Sequence, residues 1–285
     1  MSSDDDGYGH LGFFIKRKSP ETIIAEALSL KPVAIYVGFS GGDDSLTTAH
    51  WMMNNVDNCK VLHINTGIGI ERTREFVRET CHKYKWPLTE MRAKEDCGQD
   101  YDKEVLAHGF PGPYQHIKMY NLLKQKCIDK LVRESKKNHK DKVMIVTGIR
   151  YDESTKRMRY VHEQVENRGA QIWVKPLYWW SKSQFMDYIK ANKLERNPVS
   201  VLLGMSGECC CGAYAHKGMK EMIRIVDPIT ASRIDRLEKE VRAAGFPWGF
   251  EESAAMVDPE NRQGKRNTYG FLMPMCVGCE KRGLD

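Results

Sequence analysis

Ser40-Gly41-Gly42-Asp43-Asp44-Ser45 is the stretch of this 285-residue chain best equipped for chemistry. Two adjacent glycines let a backbone turn with positive φ and let anionic oxygens approach the N–H groups. The stretch follows an apolar run and opens a helix-like pattern, and a helix N-terminus adds partial positive charge. Ser40 and Ser45 can donate hydroxyls to a phosphate. Asp44, at the helix start, can cap the helix and share a magnesium ion with phosphates. These residues predict a phosphate site, and the missing lysine separates it from a kinase-type P-loop. A plain glycine turn between strand and helix is the alternative that the same residues allow.

Two other groups carry chemistry. Five of the nine cysteines gather in "ECCCGAY" (208–214) and "MCVGCEK" (275–281). Cys276 and Cys279 form a C-x-x-C turn, and Cys209, Cys210 and Cys211 supply three more thiols. With a disulfide framework improbable in a reducing compartment, this reads as a metal site. An all-cysteine set suits soft metals, zinc or iron–sulfur, without choosing between them. Cys59, Cys81, Cys97 and Cys127 are scattered and read as buried or incidental thiols. The second group is "TGIRYDESTKRM" (147–158), where Arg150 and Arg157 offer forks suited to phosphate or sulfate.

The elements that must position these groups alternate. Residues 20–31 read as a helix, 32–39 as a buried strand, 44–55 as a helix, 60–67 as a strand and 71–85 as a helix. A long amphipathic helix is expected over 116–137, strands over 142–149 and 170–177, and a helix over 181–194 with Ser181 as its cap. Past residue 200 the pattern weakens, apart from a helix over 231–245. The predicted fold is α/β, a doubly wound, mostly parallel sheet with a cysteine-rich C-terminal region. In such a sheet, Arg150 and the glycine loop share the carboxyl edge where ligands bind. The expected division is a flexible tail over 1–19, a nucleotide-binding domain over 20–200 and a cluster-bearing helical and loop region over 201–285.

Composition sets outer bounds. Hydrophobic residues make up 41% of the chain, enough for a sizeable core, and the net charge of +6 permits anionic partners without requiring them. No apolar run reaches the roughly 18–20 residues of a membrane span. The polar, acidic start "MSSDDDGYGH" does not read as a secretory signal, so a cytoplasmic protein is expected.

S-G-G-x-D-S after a strand resembles the pyrophosphatase loop of the PP-loop ATP pyrophosphatase superfamily. Its members cleave nucleotides between the α- and β-phosphates or bind an adenylyl sulfate in the same place. Asp43 stands where lysine is usual, which removes a positive charge. "HINTGIGIERTREFV" (63–77) is similar to the D-T-G segment of the phosphoadenylyl-sulfate reductase-like branch, with Asn65 in place of aspartate. Gly148, Arg150, Glu153, Ser154 and Arg157 match a G-x-R-x-x-E/Q-S-x-x-R pattern of the same branch. "VKPLYWWSKSQFMDYI" (174–189) resembles a further strand and helix of it, with Trp179 and Trp180 expected to pack structurally. The likeness runs from about residue 30 to 215.

The resemblance implies nucleotide binding by Ser40, Gly41, Gly42, Asp43, Asp44, Ser45, Asn65, Thr66, Gly67, Gly148, Arg150, Glu153 and Ser154. It implies catalytic roles for Ser40, Asp44, Arg150 and Arg157. Assimilatory adenylyl-sulfate reductases carry a similar cysteine set around a [4Fe–4S] cluster, which implies a cluster on two of Cys209–Cys211 with Cys276 and Cys279. The sulfonucleotide reductases also carry an E-C-G-x-H tail, and this chain contains none. That departure favours relatives that use ATP and Mg2+, such as the iron–sulfur ATP pyrophosphatases of DNA phosphorothioation and some tRNA thiolation enzymes. The expected partners are an adenine nucleotide, a sulfur donor such as a cysteine desulfurase, and a nucleic-acid acceptor or modification complex. Sulfonucleotide reduction and a non-catalytic nucleotide-sensing role stay open as alternatives, as does oligomerisation.

Overall fold

Alternation along the strands divides the molecule into layers. The computed structural model describes residues 17–152 and 163–252. Its sheet has six strands, β1 (Ala34–Gly38), β2 (Cys59–Asn65), β3 (Leu88–Arg92), β4 (Val143–Val146), β5 (Val165–Arg168) and β6 (Gln171–Val174), in the order β3-β2-β1-β4-β6-β5. Every pairing is parallel except β5 with β6. Ile35, Val37, Val61, Met144, Val146, Ile172 and Val174 point into one core. Tyr36, Leu62, Ile64, Val143, Ile145 and Trp173 point into the other. This is the period of two that a strand imposes, with both faces of the sheet covered.

The helices in chain order are α1 (Pro20–Ser29), α2 (Asp43–Asn55), α3 (Glu71–Lys83), α4 (Tyr101–His108), α5 (His116–Tyr120), α6 (Lys126–Ser135), α7 (Lys182–Ala191), α8 (Pro198–Leu203), α9 (Met219–Val226) and α10 (Pro228–Ala243). Ile23 of α1, Leu46 of α2, Val77 of α3 and Phe185 of α7 fill the first core. Val105 of α4, Ile128 of α6, Val199 of α8, Ile223 of α9 and Leu237 of α10 fill the second. Residues 201–252 therefore share a core with the sheet. Among the described residues, no helix is long and apolar enough to cross a membrane.

The α/β fold is as the alternating pattern predicts. The strand order reverses direction between β1 and β4, so the ligand crevice of such a sheet opens at their carboxyl ends. Three local differences have physical causes. The helix expected over 116–137 is interrupted by a π turn, Asn121–Gln125, which joins α5 to α6 and buries Leu123 and Lys124. β3 and β5 carry little apolar patterning, since β3 buries only Met91 and β5 buries none of its four residues. Cys97 and Cys127, apart in sequence, meet with their Sγ atoms 3.4 Å apart. Cys59 and Cys81 are buried in the first core, where burial pushes both thiols up to about 12.

Candidate functional site

The glycine loop leaves β1 at its carboxyl end and is closed by its own serines. The Ser40 N–H donates to Ser45 Oγ at 3.2 Å, the two hydroxyl oxygens lie 3.2 Å apart, and Ser45 Oγ donates to the Gly42 carbonyl at 2.9 Å. Gly41 has φ +83°, and a Cβ there would come within 2.8 Å of Thr73 Cγ2 on α3. Both observations demand glycine. Gly148, after β4, packs on the first turn of α2, where a Cβ would meet the Asp44 carbonyl at 2.6 Å. The segment after β4 therefore lies directly against the first turn of α2. α2 starts one residue earlier than expected, with Gly42 as its N-cap and no side-chain cap bond. Asp44 consequently does not cap the helix, because it sits within the first turn and its carboxylate turns outward to cations.

Those cations come from three segments. Arg150, 5% exposed, donates from Nε to Asp44 Oδ2 at 3.2 Å, pairs with Asp152, and lies over the Phe185 ring at 5.6 Å. Arg196 forks onto Asp43, Nε to Oδ1 at 2.9 Å and Nη2 to Oδ2 at 2.8 Å. Lys182 Nζ reaches both carboxylates, 3.4 Å from Asp43 Oδ2 and 3.2 Å from Asp44 Oδ1. Burial alone would raise the Asp43 carboxyl, but the Arg196 bonds and the Lys182 charge hold it below its ordinary value. The structure thus accounts for an aspartate in the loop: it is the docking point of the Arg196 fork. Lys182 is placed by the cap of α7, where Ser181 Oγ accepts from the Gln184 N–H at 3.3 Å and Gln184 Oε1 accepts from the Ser181 N–H at 2.8 Å.

The end of β2 forms a second, drier cluster. Asn65 Oδ1 accepts from the Gly67 N–H at 2.9 Å, and its Nδ2 donates to Glu90 at 3.3 Å. Thr66 is buried and donates twice toward the cysteine run, from N to Glu208 Oε1 at 2.8 Å and from Oγ1 to the Glu208 carbonyl at 2.7 Å. Glu208 is 1% exposed, with His63 Nε2 and Arg74 Nε each 3.4 Å from its Oε2. Burial opposes charge on both members of the His63–Glu208 pair. Each nonetheless sustains the other, the imidazole drawn up and the carboxyl drawn down, with Arg74 assisting. His63 Nδ1 completes the chain by bonding the Phe39 carbonyl at 2.8 Å, so the network ends at the root of the glycine loop.

Glu208 carries the cysteines with it. Cys210 and Cys211 are buried in the second core, Cys210 Sγ lies 3.5 Å from the Gly207 carbonyl, and the Tyr101 hydroxyl donates to the Cys211 carbonyl at 2.8 Å. The Ile70 N–H donates to the Gly207 carbonyl at 2.8 Å, and Thr73 Oγ1 to the Ser206 carbonyl at 2.8 Å. The cysteine run therefore lies along the same edge of the sheet as the glycine loop. Cys276, Cys279, Glu153, Ser154 and Arg157 lie outside the described residues. Among the described residues, no three metal-binding side chains converge on one point.

The structure brings together Ser40 through Ser45, Gly148 and Arg150, and beside them Asn65, Thr66 and Gly67. Sequence reasoning missed Lys182, Arg196, His63, Arg74 and Glu208. The one available signal was Glu208 itself, an acid placed directly before three thiols. Trp179 packs against Tyr151 and Tyr178, and Trp180 against Phe185 and Tyr188.

Residues 34–200 match the model of the phosphoadenosine phosphosulfate reductase domain. The match spans more than half of the sequence, and the chain belongs to that family. A tRNA-5-methyluridine(54) 2-sulfurtransferase of Pyrococcus horikoshii is 35% identical over 91 residues, 31% of this chain and 29% of that protein. An uncharacterized protein of Methanocaldococcus jannaschii, MJ0973, is 26% identical over 171 residues, 59% of this chain and 38% of that protein. The chain thus spans well under half the length of the curated relatives it matches. A phosphoadenylyl-sulfate reductase of Candida auris in complex with phosphate superposes with a TM-score of 0.49 at 19% identity, covering 65% of this chain and 85% of that one. The U34-tRNA thiolase NcsA of Methanococcus maripaludis, with its [4Fe-4S] cluster, gives 0.41 at 16% identity, covering 79% and 78%.

Proposed function

We propose that this chain is a PP-loop ATP pyrophosphatase that adenylates an acceptor for sulfur transfer, of the nucleic-acid thiolation or DNA phosphorothioation kind. The observation that carries the reading is the serine-closed glycine loop at the carboxyl end of β1, joined to β4 by the Gly148 contact and flanked by Arg150. The N–H groups of Gly41 and Gly42, with Ser40 and Ser45, would hold the leaving pyrophosphate, and the N-terminus of α2 would favour its charge. Arg150 and Arg157 would stabilise charge that develops between the α- and β-phosphates. Asp44 would share Mg2+ with the phosphates. An acceptor oxygen would attack the α-phosphorus, pyrophosphate would leave, and a sulfur nucleophile would then displace AMP from the activated position. The sulfurtransferase relative supports the sulfur-transfer part of this reading.

The thiolate donors fit a soft metal centre by their chemistry. Two of Cys209, Cys210 and Cys211, with Cys276 and Cys279, would hold a [4Fe–4S] cluster, on a run that Glu208 and Tyr101 anchor beside the crevice. When bound, the cluster would hold or pass sulfur. The sulfur donor, a cysteine desulfurase or another, and the nucleic-acid acceptor belong to the same proposal.

The test is product analysis. Anaerobically purified full chain, given α-labelled ATP, Mg2+ and either tRNA or duplex DNA, should release AMP and pyrophosphate, faster with its acceptor. ADP as the product would overturn the reading. ATP binding without turnover on any acceptor would favour a nucleotide-sensing subunit. Sulfonucleotide reduction is the second reading, favoured by the family to which residues 34–200 belong. Conversion of an adenylyl sulfate to sulfite by the pure protein with a thiol donor would establish it instead.

A further inference from the structure

Residues 40–45 contain two aspartates and no cation. A pyrophosphate group seated on this loop would meet two carboxylates at once, so its binding needs positive charge from elsewhere. Among the described residues, three cationic side chains stand within reach of those carboxylates, and they differ in how firmly they are held. Arg150 is almost fully buried and fixed between Asp44 and Asp152. Arg196 is committed to Asp43 by two parallel bonds. Lys182 is different. Its side chain is 49% exposed and divides its charge between Asp43 and Asp44 at 3.4 and 3.2 Å, with no fork geometry at either.

The backbone of Lys182 is nonetheless fixed. It is the first residue of α7, and its N–H donates to Asp152 Oδ2 at 3.1 Å, the same carboxylate that pairs with Arg150. A lysine stem rooted this way can swing its ammonium across the loop while its Cα stays in place. We infer that Lys182 is the pyrophosphate-binding cation of this site, supplied from α7 to a loop that has none, with Asp43 and Asp44 holding its ammonium until a nucleotide arrives. The inference rests on the nucleotide reading above and names a residue for it. The exchange is favourable in sign, because Arg196 and Arg150 stay on the two carboxylates when the half-exposed ammonium leaves, and a polyphosphate carries more charge than one carboxylate. The same movement releases Asp44 Oδ1, while Arg196 stays on Asp43 and keeps that carboxylate neutralised.

The test compares ATP with AMP, which lacks the β- and γ-phosphates. Titration calorimetry on the anaerobic full chain with Mg2+ should show that Lys182→Met weakens ATP at least tenfold and leaves AMP within twofold. Lys182→Arg, which keeps the charge, should recover most of the ATP affinity. Unchanged ATP affinity in Lys182→Met, or equal losses for ATP and AMP, would overturn the inference and leave the nucleotide reading standing. A wild-type chain that binds neither nucleotide would overturn both. Thermal melts should place Lys182→Arg with the wild type and Lys182→Met close below it, since Arg196 and Arg150 stay on the two carboxylates.

Discussion

The two charged clusters at the carboxyl edge of the sheet are built on opposite plans. Around the glycine loop, Asp43 and Asp44 face arginine and lysine side chains that include a half-exposed ammonium. Around Glu208, one carboxylate is sealed from water and met by His63, Arg74, a backbone N–H and a threonine hydroxyl. Charge at the edge of solvent can trade partners at little cost, and that suits a place where an anion enters and leaves. Charge in the interior cannot, because each partner removed leaves a desolvated ion behind. In the first cluster the half-exposed Lys182 ammonium is placed for exchange while Arg150 and Arg196 are held, and the second cluster is held throughout. Arg74 and Thr73 on α3, with the 206–208 segment, tie one to the other.

The largest way to break this contrast is in the interior. Glu208→Ala should cost roughly 3–5 kcal/mol, because His63 and the Thr66 N–H would stay buried without their acceptor and Arg74 would keep only Glu71. Chemical denaturation would register the loss, and a shift near zero would mean the network is not holding the cysteine run. Gly148→Ala comes next. Its Cβ would sit 2.6 Å from the Asp44 carbonyl, a backbone atom that cannot step aside cheaply. A loss of about 1–3 kcal/mol is expected, with weaker nucleotide binding as β4 and α2 move apart. A fully stable variant with wild-type affinity would show that the contact is loose.

The smallest effect sharpens the comparison through pH. Arg78 forks onto Glu90 at 2.9 and 2.8 Å and, against the opposing effect of burial and with help from Asn65, holds its carboxyl at about 2, below the ordinary value of 4.5. A depressed carboxyl contributes stability that is complete above 4.5 and lost as pH falls toward 2. Glu90→Gln should therefore lower stability at neutral pH by an amount that vanishes as pH falls from 4.5 toward 2, which flattens the acid limb of the stability curve. The effect should stay below about 1 kcal/mol, since Arg78 is solvent-exposed. An unaltered acid limb would remove Glu90 from the support of Asn65.

Legibility in the sequence followed the range of each signal. The β1–α2–β2–α3 half was readable because apolar periodicity, glycines and caps act over a few residues. β3 and β5 were not, since "LTEMR" and "VENR" show almost no apolar alternation and become strands through their neighbours. The π turn at Asn121–Gln125 was hidden inside an ordinary helical pattern. In the site, Ser40 to Ser45 and Arg150 announced themselves by type and spacing. Lys182 and Arg196 did not, because an exposed lysine at a helix start has no meaning until Asp43 and Asp44 are seen beside it. Asp43 was read as a lost positive charge, and only its partners show where the counter-charge is kept.

The reach of these bonds has a consequence for the order of events in the life of the chain. Arg150 meets Asp44 across 106 residues, Glu208 meets Thr66 across 142, and Arg196 meets Asp43 across 153. At a synthesis rate of roughly 5–20 residues per second, Arg196 leaves the ribosome roughly 8–30 s after the aspartate it must clasp. For that interval the two loop carboxylates have no finished setting, although strands β1 and β2 can already pair. The glycine loop is thus written early and completed last. A nascent chain stopped after β6 would carry every residue of that loop and lack the clasp that finishes it.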